Sequence, residues 1–304
     1  MPYFLGIDGG GTKTRFLLAD ELKVLAKAMT GGSNVVRLGE QQAREALHSG
    51  IHQVCAAAQV NPEQICAVCI GAAGAGRPEV AAKIRSILAE ANLKDSSAKV
   101  EIVGDSVIAL DAAFGDGPGV IVISGTGSIA YGRDARGSTA RAGGWGFAIS
   151  DEGSGHWIGR RAVASILHAH DQGADTTLTS SVLAVWKLHS IDELVQRANA
   201  TPPPDFPLLL RTVLRSAKEG DAAARDLLAE AGAELAKLAS IVLLRLAPTG
   251  SALLPVAVTG SVFRQSEDVR QIFHDALTAN FPGIDVRRQL IEPVEGALAR
   301  ARRL

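Results

Sequence analysis

The sequence predicts an α/β protein made of two related halves, and two observations support this prediction. A short apolar run, Phe4 to Ile7, ends in Asp8 and is followed by three glycines and a second apolar run, Phe16 to Ala19. The same pattern returns roughly 115 residues later, where Val120 to Ile123 precedes Ser-Gly-Thr-Gly-Ser and another apolar run. Short apolar runs separated by glycine and hydroxyl residues are typical of strands joined by tight turns. Because the unit occurs twice, we expect each half to offer one loop to a shared ligand.

Both turns are suited to binding phosphate. Closely spaced glycines leave the backbone N–H groups unobstructed, so that such a turn can surround an anion. The candidate phosphate-binding residues are Gly10, Gly11, Thr12 and Lys13 in the first loop and Gly125, Thr126, Gly127 and Ser128 in the second. An ordinary glycine hairpin is the alternative for one loop taken alone, and an exposed turn lysine is the alternative for Lys13. The repeat favours a functional pair of loops.

Two better-known phosphate motifs do not fit the first loop. A P-loop needs Gly, four residues and then Gly-Lys-Ser/Thr, whereas counting from Gly6 leads to Gly11 and Thr12, with Lys13 one position late. The dinucleotide fingerprint needs a helix after its glycines, because the helix N-terminus binds the pyrophosphate. Both loops of this chain are instead followed by apolar runs that predict strands. The pattern therefore predicts a strand–turn–strand phosphate site.

Three aspartates are the candidate catalytic, metal-binding and substrate-binding groups. Asp8 ends the first strand beside the first loop, where a carboxylate suits a hydrated Mg²⁺. Asp105 follows an apolar strand and precedes a predicted helix, and ligands of parallel α/β sheets gather at the carboxyl ends of strands. Asp151 follows a glycine-rich stretch and precedes another predicted helix. A helix N-cap is the alternative for both Asp105 and Asp151.

The order of the glycine motifs resembles a known superfamily. A third apolar run, Val256 to Phe263, contains Gly260 and Ser261, which we expect at the nucleoside end of a nucleotide. Together, segments 7–12, 123–128 and 258–262 resemble the sugar kinase, actin and heat-shock-chaperone ATPase superfamily. Within it, Gly-Gly-Trp-Gly at 143–146 followed by Ser-Asp-Glu-Gly-Ser at 150–154 is similar to the N-acetylglucosamine kinase family and its bacterial glucosamine kinase relatives. The resemblance covers nearly the whole chain.

This resemblance implies the fold and the cofactors. It implies two ribonuclease-H-like, or actin-like ATPase, domains with a central nucleotide cleft. The expected N-terminal domain is 1–114 together with a C-terminal helix over 293–304, and the expected C-terminal domain is 115–292 with a helical insertion. ATP and Mg²⁺ are the implied cofactors, and relatives commonly form homodimers, so a homodimer is expected.

The resemblance also implies the reaction and its residues. The implied activity is ATP-dependent phosphorylation of the hydroxymethyl group of an amino sugar, converting N-acetylglucosamine to N-acetylglucosamine 6-phosphate. Asp105 takes the place of the general base and contacts the substrate. The implied sugar-binding residues are Asn34, Gly144, Trp145, Gly146 and Asp151. A core tryptophan is the alternative for Trp145.

Three other functions remain open from the sequence. Glucosamine is an alternative acceptor, because the loop 71–76 offers no side-chain hydroxyl to an N-acetyl group. An ATPase that activates a partner enzyme is a second alternative, and a regulatory sugar sensor without catalysis is a third. Iron–sulfur activator ATPases bind their cluster through cysteines, but Cys66 and Cys69 lie three apart in an apolar run. Residues at that spacing point to opposite faces of a strand, which favours buried thiols over metal ligands.

Composition limits the class of partner. The chain has 304 residues, of which 47% are hydrophobic and 21% charged, with a formal net charge of −1. These values are typical of a globular protein and give no reason to expect nucleic acid or an anionic membrane as partner. The arginines at 300, 302 and 303 are interpreted as the solvated face of a final helix. No secretory signal or membrane span is visible in the sequence, so a cytoplasmic location is expected.

Periodicity predicts the remaining elements. Strands are expected over 24–29, 65–70 and 100–103, and helices over 39–58, 79–92, 106–114, 151–170 and 221–247. Asp221 is a predicted cap of the longest helix, and Pro248 is its predicted stop.

Overall fold

The computed structural model describes residues 2–91, 98–174, 176–247 and 252–304. The chain divides into two compact units, one of residues 1–119 with 291–304 and the other of residues 120–290. The domain boundaries expected after residues 114 and 292 stay a prediction. The predicted helix stop at Pro248 and the predicted helix end at residue 92 lie outside the described residues.

The described chain contains both strands and helices, as the sequence predicts. The strands are β1 (Tyr3–Gly9), β2 (Lys13–Ala19), β3 (Val24–Gly31), β4 (Ile65–Ala72), β5 (Lys99–Gly104), β6 (Gly119–Ser124), β7 (Ser128–Arg133), β8 (Thr139–Gly143) and β9 (Val256–Thr259). The helices are α1 (Val35–Leu38), α2 (Glu40–Ala58), α3 (Pro78–Ala89), α4 (Asp105–Phe114), α5 (Gly155–Asp171), α6 (Thr177–Trp186), α7 (Ile191–Ala198), α8 (Leu210–Lys218), α9 (Ala222–Leu246), α10 (Ser261–Gln265), α11 (Glu267–Asn280) and α12 (Pro293–Ala301). The predicted α/β class is confirmed.

The sheet of the first unit has the order β3-β2-β1-β4-β5. Strand β1 is antiparallel to β2 and parallel to β4, which is parallel to β5. Alternate residues of β1 serve opposite faces: Leu5 and Ile7 join the core that includes residues of α2 and α3, whereas Gly6 faces α12. A Cβ at Gly6 would lie 2.4 Å from the Leu298 backbone N. The final helix therefore approaches the strand backbone directly.

The final helix packs on the first unit, as predicted, but Arg300 and Arg302 make contacts within that unit. The Arg300 Nη1 lies 2.6 Å from the Asp111 Oδ2, and its Nε lies 2.8 Å from the Glu101 Oε2. Arg302 donates from Nη2 to the Asp20 carbonyl at 2.7 Å. The Asp111 side chain is 1% exposed, and a buried carboxylate needs a cationic partner. That requirement arises from packing, so the expectation of a solvated face is wrong for Arg300, whereas Arg303 is exposed as expected.

The second unit combines a smaller sheet with most of the helices. Its sheet has the order β8-β7-β6-β9, with β6 parallel to β9. The predicted helix over 221–247 is observed as α9, and Asp221 is its N-cap. The helix predicted over 151–170 begins later, because Ser154 caps α5 by accepting from the Trp157 N–H. Asp151 itself has φ +69°, a left-handed backbone conformation that cannot belong to a helix.

Asp221 joins the N-termini of two helices. Its Oδ1 accepts from the Ala224 N–H at 2.9 Å, and its Oδ2 accepts from the Thr177 hydroxyl at 3.0 Å and the Leu178 N–H at 3.1 Å. Burial alone would raise its pKa, but the Ala224 and Leu178 N–H groups and the Thr177 hydroxyl hold it below the ordinary value. The ionised carboxylate therefore stabilises both helix ends.

We expect Asp221→Ala to lower the free energy of unfolding by about 2 kcal/mol, because a cap is lost and a buried N–H is left unpaired. Urea titration measures this. Because the pKa is lowered in the folded state, the stabilisation is present above about pH 4 and is lost as the pH falls further. Ser190→Ala, which removes the cap of α7 at the exposed Glu193 N–H, is the matched control, with an expected cost of about 0.5–1 kcal/mol. Equal costs for the two variants would contradict the double role of Asp221.

Candidate active site

The first predicted phosphate loop is the hairpin tip between β1 and β2. The Gly10 N–H donates to the Lys13 carbonyl at 3.1 Å, and the Gly10 carbonyl accepts from the Ser33 N–H at 3.1 Å. A Cβ at Gly10 would lie 2.8 Å from the Lys13 carbonyl oxygen, so a larger residue would open the turn. The side chains of Thr12 and Lys13 are exposed. The hairpin backbone is therefore constrained at Gly10, and the side chains of Thr12 and Lys13 are exposed to solvent.

A buried hydroxyl pair supports this hairpin. The Thr14 side chain is fully buried, and its Oγ1 lies 2.9 Å from the Gly31 carbonyl oxygen and 2.8 Å from the Ser33 Oγ. A Cβ at Gly9 would lie 2.9 Å from the same Ser33 Oγ. Sequence reasoning missed Thr14 and Ser33. Their only signal was a hydroxyl residue beside glycines, which is common in turns.

Asn34 follows this support directly and caps α1. Its Oδ1 accepts from the Val36 N–H at 3.0 Å and from the Arg37 N–H at 3.1 Å. Those two hydrogen bonds fill the usual acceptor capacity of an amide oxygen. A sugar hydroxyl at this residue would therefore accept from the Nδ2 amide, whose position the cap determines.

Asp8 and Asp105 lie at the same edge of the first sheet. The parallel register pairs Gly9 with Ala72 of β4, and Ala72 with Gly104 of β5, so the carboxyl ends of the three strands coincide. Burial, followed by the Asp105 carboxylate, raises the pKa of Asp8 to about 7, although Arg15 opposes the shift. Burial also raises the pKa of Asp105, against the Ser106 N–H that donates to its Oδ1 at 2.9 Å. Both carboxyls therefore retain protons more readily than exposed aspartates.

The N-cap alternative for Asp105 is wrong. Gly104 is the N-cap of α4, and Asp105 is the first helical residue, with no capping hydrogen bond from a side chain. Its Oδ1 nevertheless accepts from the Ser106 N–H in the first turn of α4 at 2.9 Å, so one carboxylate oxygen is partly used by its own helix.

Arg15 and Glu292 complete the electrostatics of this edge, and sequence reasoning missed both. The β1–β2 register places Arg15 directly opposite Asp8, and directly opposed residues share one face of a sheet. The Arg15 Nη1 pairs with the Glu292 Oε2, and Glu292 is the N-cap residue of α12. Strand pairing could have predicted Arg15. Glu292 lies 277 residues away along the chain and carried no sequence signal.

The donor set at this edge fits a Mg²⁺ ion. Asp8 and Asp105 repel each other when both are ionised, and a bound divalent cation would reduce this repulsion. Within residues 2–91, 98–174, 176–247 and 252–304, no group of three or more His, Cys, Asp or Glu residues could hold a metal. The protein would therefore supply one or two oxygens, and water and phosphate would supply the others, as Mg²⁺ prefers.

The second predicted phosphate loop makes hydrogen bonds with the segment after β8. The Gly125 N–H donates to the Gly127 carbonyl at 2.9 Å, and the Gly125 carbonyl accepts from the Gly155 N–H at 2.8 Å. The Ser128 hydroxyl donates to the Glu152 carbonyl at 2.7 Å. The Ser128 hydroxyl thus already donates a hydrogen bond within the protein, and the loop backbone forms a tight turn.

Asp151 joins the second loop to the glycine-rich segment. It is 7% exposed and accepts hydrogen bonds from the N–H groups of Ser128 and Gly146. Burial raises its pKa, and these N–H groups oppose the shift. A Cβ at Gly127 would lie 2.8 Å from its Oδ2. The structure therefore brings three predicted site segments together around one buried carboxylate, and the cap alternative for Asp151 is wrong.

Trp145 is not a core residue. It is 68% exposed, and its neighbours Gly144 and Gly146 have φ +68° and +105°. Such angles favour glycine strongly, and they turn the segment outward. Phe147 and Ile149 are also exposed, at 46% and 80%. A concentrated apolar surface of this kind is typical of a ligand-binding segment.

Gly260 and Ser261 lie beside the second loop. Gly260 has φ +110° and precedes α10, and a Cβ there would lie 2.1 Å from the Ser124 carbonyl oxygen. A Cβ at Gly125 would lie 4.0 Å from the Ser261 Oγ. The structure thus places the third predicted nucleotide segment next to the Gly-Thr-Gly-Ser turn.

Residues 5–300 match the BadF/BadG/BcrA/BcrD ATPase family. The chain belongs to this family. It is 32% identical, over 99% of both chains, to an N-acetylmuramic acid/N-acetylglucosamine kinase of Clostridium acetobutylicum. It is 29% identical to an N-acetyl-D-glucosamine kinase of Dictyostelium discoideum, over 97% of this chain and 96% of that one.

A solved structure of this family type shares the fold. It comes from Chromobacterium violaceum, is proposed to be an N-acetylglucosamine kinase, and matches with a TM-score of 0.78 at 29% identity over 98% of both chains. The resemblance to the N-acetylglucosamine and glucosamine kinases and the actin-like ATPase fold are confirmed. No α-helix in the described part of this family member is both long and apolar enough to cross a membrane.

We expect the metal-free protein to lose thermal stability as the pH rises from about 4 to about 7. The folded state keeps Asp8 protonated up to a pKa of about 7, whereas an unfolded aspartate ionises near pH 3.9. The stabilisation is therefore complete below about pH 4 and is lost as the pH rises through the folded pKa. Scanning calorimetry in chelator buffer measures this, and Asp8→Asn should flatten the profile. The same slope in that variant would assign the change to other groups.

We expect Gly260→Ala to cost more stability than Gly283→Ala. Both glycines have positive φ, but a Cβ at Gly283 meets nothing within 4 Å, whereas one at Gly260 would overlap the Ser124 carbonyl. Backbone strain alone costs about 1 kcal/mol at either position, and the overlap should add about 2 kcal/mol at Gly260. Urea titration compares the two variants. Equal losses would show that the turn at Gly260 can move away from β6.

Proposed function

We propose that this family member is an ATP-dependent kinase that phosphorylates the hydroxymethyl group of an amino sugar. The observation that supports this most strongly is the pair Asp8 and Asp105, which lie at the carboxyl ends of neighbouring strands beside a glycine hairpin. One carboxylate suits a cation bound to phosphate. The other accepts from the Ser106 N–H through Oδ1 and keeps acceptor capacity for an incoming hydroxyl. Full-length similarity to amino-sugar kinases agrees with this chemistry.

The two glycine loops bind the phosphates of ATP in this proposal. The N–H groups of Gly11 and Thr12 and the Thr12 hydroxyl serve the first loop, where Lys13 adds a positive charge. The N–H groups of residues 126 and 127 and the Thr126 hydroxyl serve the second. The Gly125 N–H already donates to the Gly127 carbonyl, and the Ser128 N–H and Oγ donate to Asp151 and Glu152. Gly260 and Ser261 meet the nucleoside. Phosphoryl transfer depends on such positioning more than on covalent catalysis by the protein.

Asp105 is the general base. The hydroxymethyl oxygen of the sugar attacks the γ-phosphorus, the bond from that phosphorus to the bridging oxygen of ADP breaks, and Asp105 accepts the hydroxyl proton. Burial raises the pKa of Asp105, which strengthens the carboxylate as a base relative to an exposed aspartate. Asp8 would hold Mg²⁺, which supplies neutralisation of the phosphate charge when bound.

In this proposal, residues from both halves of the sequence bind the sugar. Asn34 offers its Nδ2 amide, and Asp151 offers the acceptor capacity of a buried carboxylate to the ring hydroxyls. The backbone of residues 144–146 lines the ring, and the exposed face of Trp145 stacks on its apolar side. Excluding water from these groups would suppress the competing hydrolysis of ATP.

N-acetylglucosamine is the proposed acceptor. The Clostridium and Dictyostelium relatives are named as kinases of N-acetylated sugars. Glucosamine is the alternative, supported by the absence of side-chain hydroxyls in residues 71–76. A coupled ADP-release assay with both sugars decides between them through their values of kcat/KM.

We also propose that the protein forms a homodimer. Light scattering, which measures the molar mass in solution, tests this proposal.

An ATPase that activates a partner enzyme is the second candidate, because the chain belongs to an ATPase family. It predicts ATP hydrolysis without any sugar. Metal binding by the cysteine pair is disfavoured, since Cys69 is fully buried and burial raises the pKa of its thiol to about 12, so that thiolate is scarce. Sugar-independent hydrolysis at the rate of sugar-dependent turnover would favour this candidate.

We expect Asp105→Asn to lower kcat with N-acetylglucosamine by about 10²–10⁴-fold, the usual contribution of a general base. Affinity for ATP should stay within about threefold, since the variant keeps the shape of the side chain. Stopped assays of sugar phosphate and isothermal titration with a non-hydrolysable ATP analogue measure the two quantities. A kcat near that of the unmodified enzyme would exclude Asp105 as the base.

A further inference from the structure

The ring of His156 packs against the end of the glycine-rich segment 143–147. Its centroid lies 4.9 Å from the centroid of the Phe147 ring, with 45° between the two ring planes. His156 is buried, whereas Phe147 is exposed. Phe147 directly follows Gly146, the last residue of the proposed sugar-binding backbone. The contact therefore joins this backbone to a buried ring.

A second aromatic contact orients the His156 ring. The Phe206 ring lies 5.1 Å from it at an angle of 70°, and Phe206 in turn lies 5.6 Å from Trp186. A Cβ at Gly159 would lie 2.1 Å from the Phe206 carbonyl oxygen, so helix α5 and the chain at Phe206 are in direct contact. Because edge-to-face pairs are directional, these contacts define the position of the His156 ring.

The backbone of His156 contacts the second phosphate loop. Its N–H donates to the Thr126 carbonyl at 3.3 Å, next to the bond from the Gly155 N–H to the Gly125 carbonyl. One residue thus contacts the proposed phosphate loop through its backbone and the glycine-rich segment through its side chain. A change of side chain leaves the N–H in place, so substitution of His156 isolates the second contact.

Hydrogen bonds fix the same segment at Gly146. The Gly146 N–H donates to the Asp151 carboxylate, and its carbonyl accepts from the Ser150 N–H at 2.9 Å. Its φ is +105°, and a glycine has many other backbone conformations open to it. A side-chain contact at the next residue restricts that freedom, and the pair of Phe147 with His156 supplies this contact.

We propose that His156 is a positioning residue for the sugar, because its ring orients Phe147 and, through it, the backbone of residues 144–146. The inference rests on the proposed amino-sugar kinase function and adds a residue that acts through Phe147. A segment that is already oriented loses less conformational entropy when the sugar binds. The contribution of His156 therefore lies in sugar binding, not in ATP binding or in the chemical step.

The test measures kcat and the KM values for N-acetylglucosamine and ATP in variants of the full-length enzyme. We expect His156→Ala and Phe147→Ala each to raise the KM for the sugar by about 3–10-fold, the size of an aromatic pair contact. The kcat and the KM for ATP should stay within about twofold, the pattern of a loss in binding alone. The double variant should match the more affected single variant, because both changes remove the same contact.

Two further variants separate orientation from general packing. His156→Phe keeps an aromatic ring and should return the KM for the sugar to within about twofold of the unmodified enzyme. Trp186→Leu is the matched control, since Trp186 contacts Phe206 in the same group of rings and leaves the pair of His156 with Phe147 intact. Its KM for the sugar should be unchanged. If His156→Ala does not fold, His156→Leu, which fills more of the volume without an aromatic ring, replaces it.

Three kinetic results would overturn the role of His156. They are additive effects in the double variant, no return of the KM in His156→Phe, and a rise in Trp186→Leu equal to that in His156→Ala. The last result would assign the effect to a looser core.

Hydrogen exchange in the ligand-free protein separates this inference from the kinase assignment. We expect His156→Ala to speed amide exchange in residues 146–150 by roughly tenfold, because a contact that restricts local opening is lost, and Trp186→Leu to leave it unchanged. Faster exchange in an enzyme that phosphorylates no amino sugar would remove the kinase assignment and keep the orienting role of His156. Unchanged exchange in an enzyme that phosphorylates N-acetylglucosamine would overturn that role and leave the kinase assignment standing.

Discussion

The candidate site depends on the proximity of Asp8 and Asp105, two carboxylates that oppose each other's ionisation. They are neighbours because β1, β4 and β5 run parallel and end in register. Burial makes the repulsion stronger, and it raises the pKa of Asp8 to about 7. The positive charge of Arg15 opposes this rise in the pKa of Asp8, but Arg15 also pairs with Glu292. An edge with this unbalanced negative charge suits a cation and a proton acceptor, which is the combination that phosphoryl transfer requires.

Close approach of backbones keeps this edge in place. Gly6 allows α12 to contact β1, and Gly296 allows the same helix to contact α4, since a Cβ there would lie 2.0 Å from the Ile108 carbonyl oxygen. Helix α12 begins next to Glu292, so its packing also places a carboxylate beside Arg15. The end of the chain is thus part of the electrostatics of the first unit. Ion pairs from Arg300 to Asp111 and Glu101 hold it there.

The second unit uses a buried carboxylate for a different purpose. Asp151 accepts from backbone N–H groups of the loop 125–128 and of the glycine-rich segment, so it organises two chain segments and retains acceptor capacity. A left-handed backbone at Asp151 is tolerated because its side-chain hydrogen bonds offset the conformational cost. The exposed surface around Trp145 follows from the same arrangement, since the glycines beside it turn the segment away from the core.

The sequence by itself determined the α/β class, the two strand–turn–strand units, the family, the cap at Asp221 and the position of Asp8 and Asp105 at strand ends. These features are local, because periodicity, turn residues and capping act within a few positions of the chain. Only the tertiary structure decided that Glu292 joins Arg15 from 277 residues away, and that Gly104 and Ser154 are the N-cap residues of α4 and α5. It also decided that Arg300 neutralises a buried aspartate instead of facing water. These features depend on register and burial, which set the energy of a charge and are not encoded in any short stretch of residues.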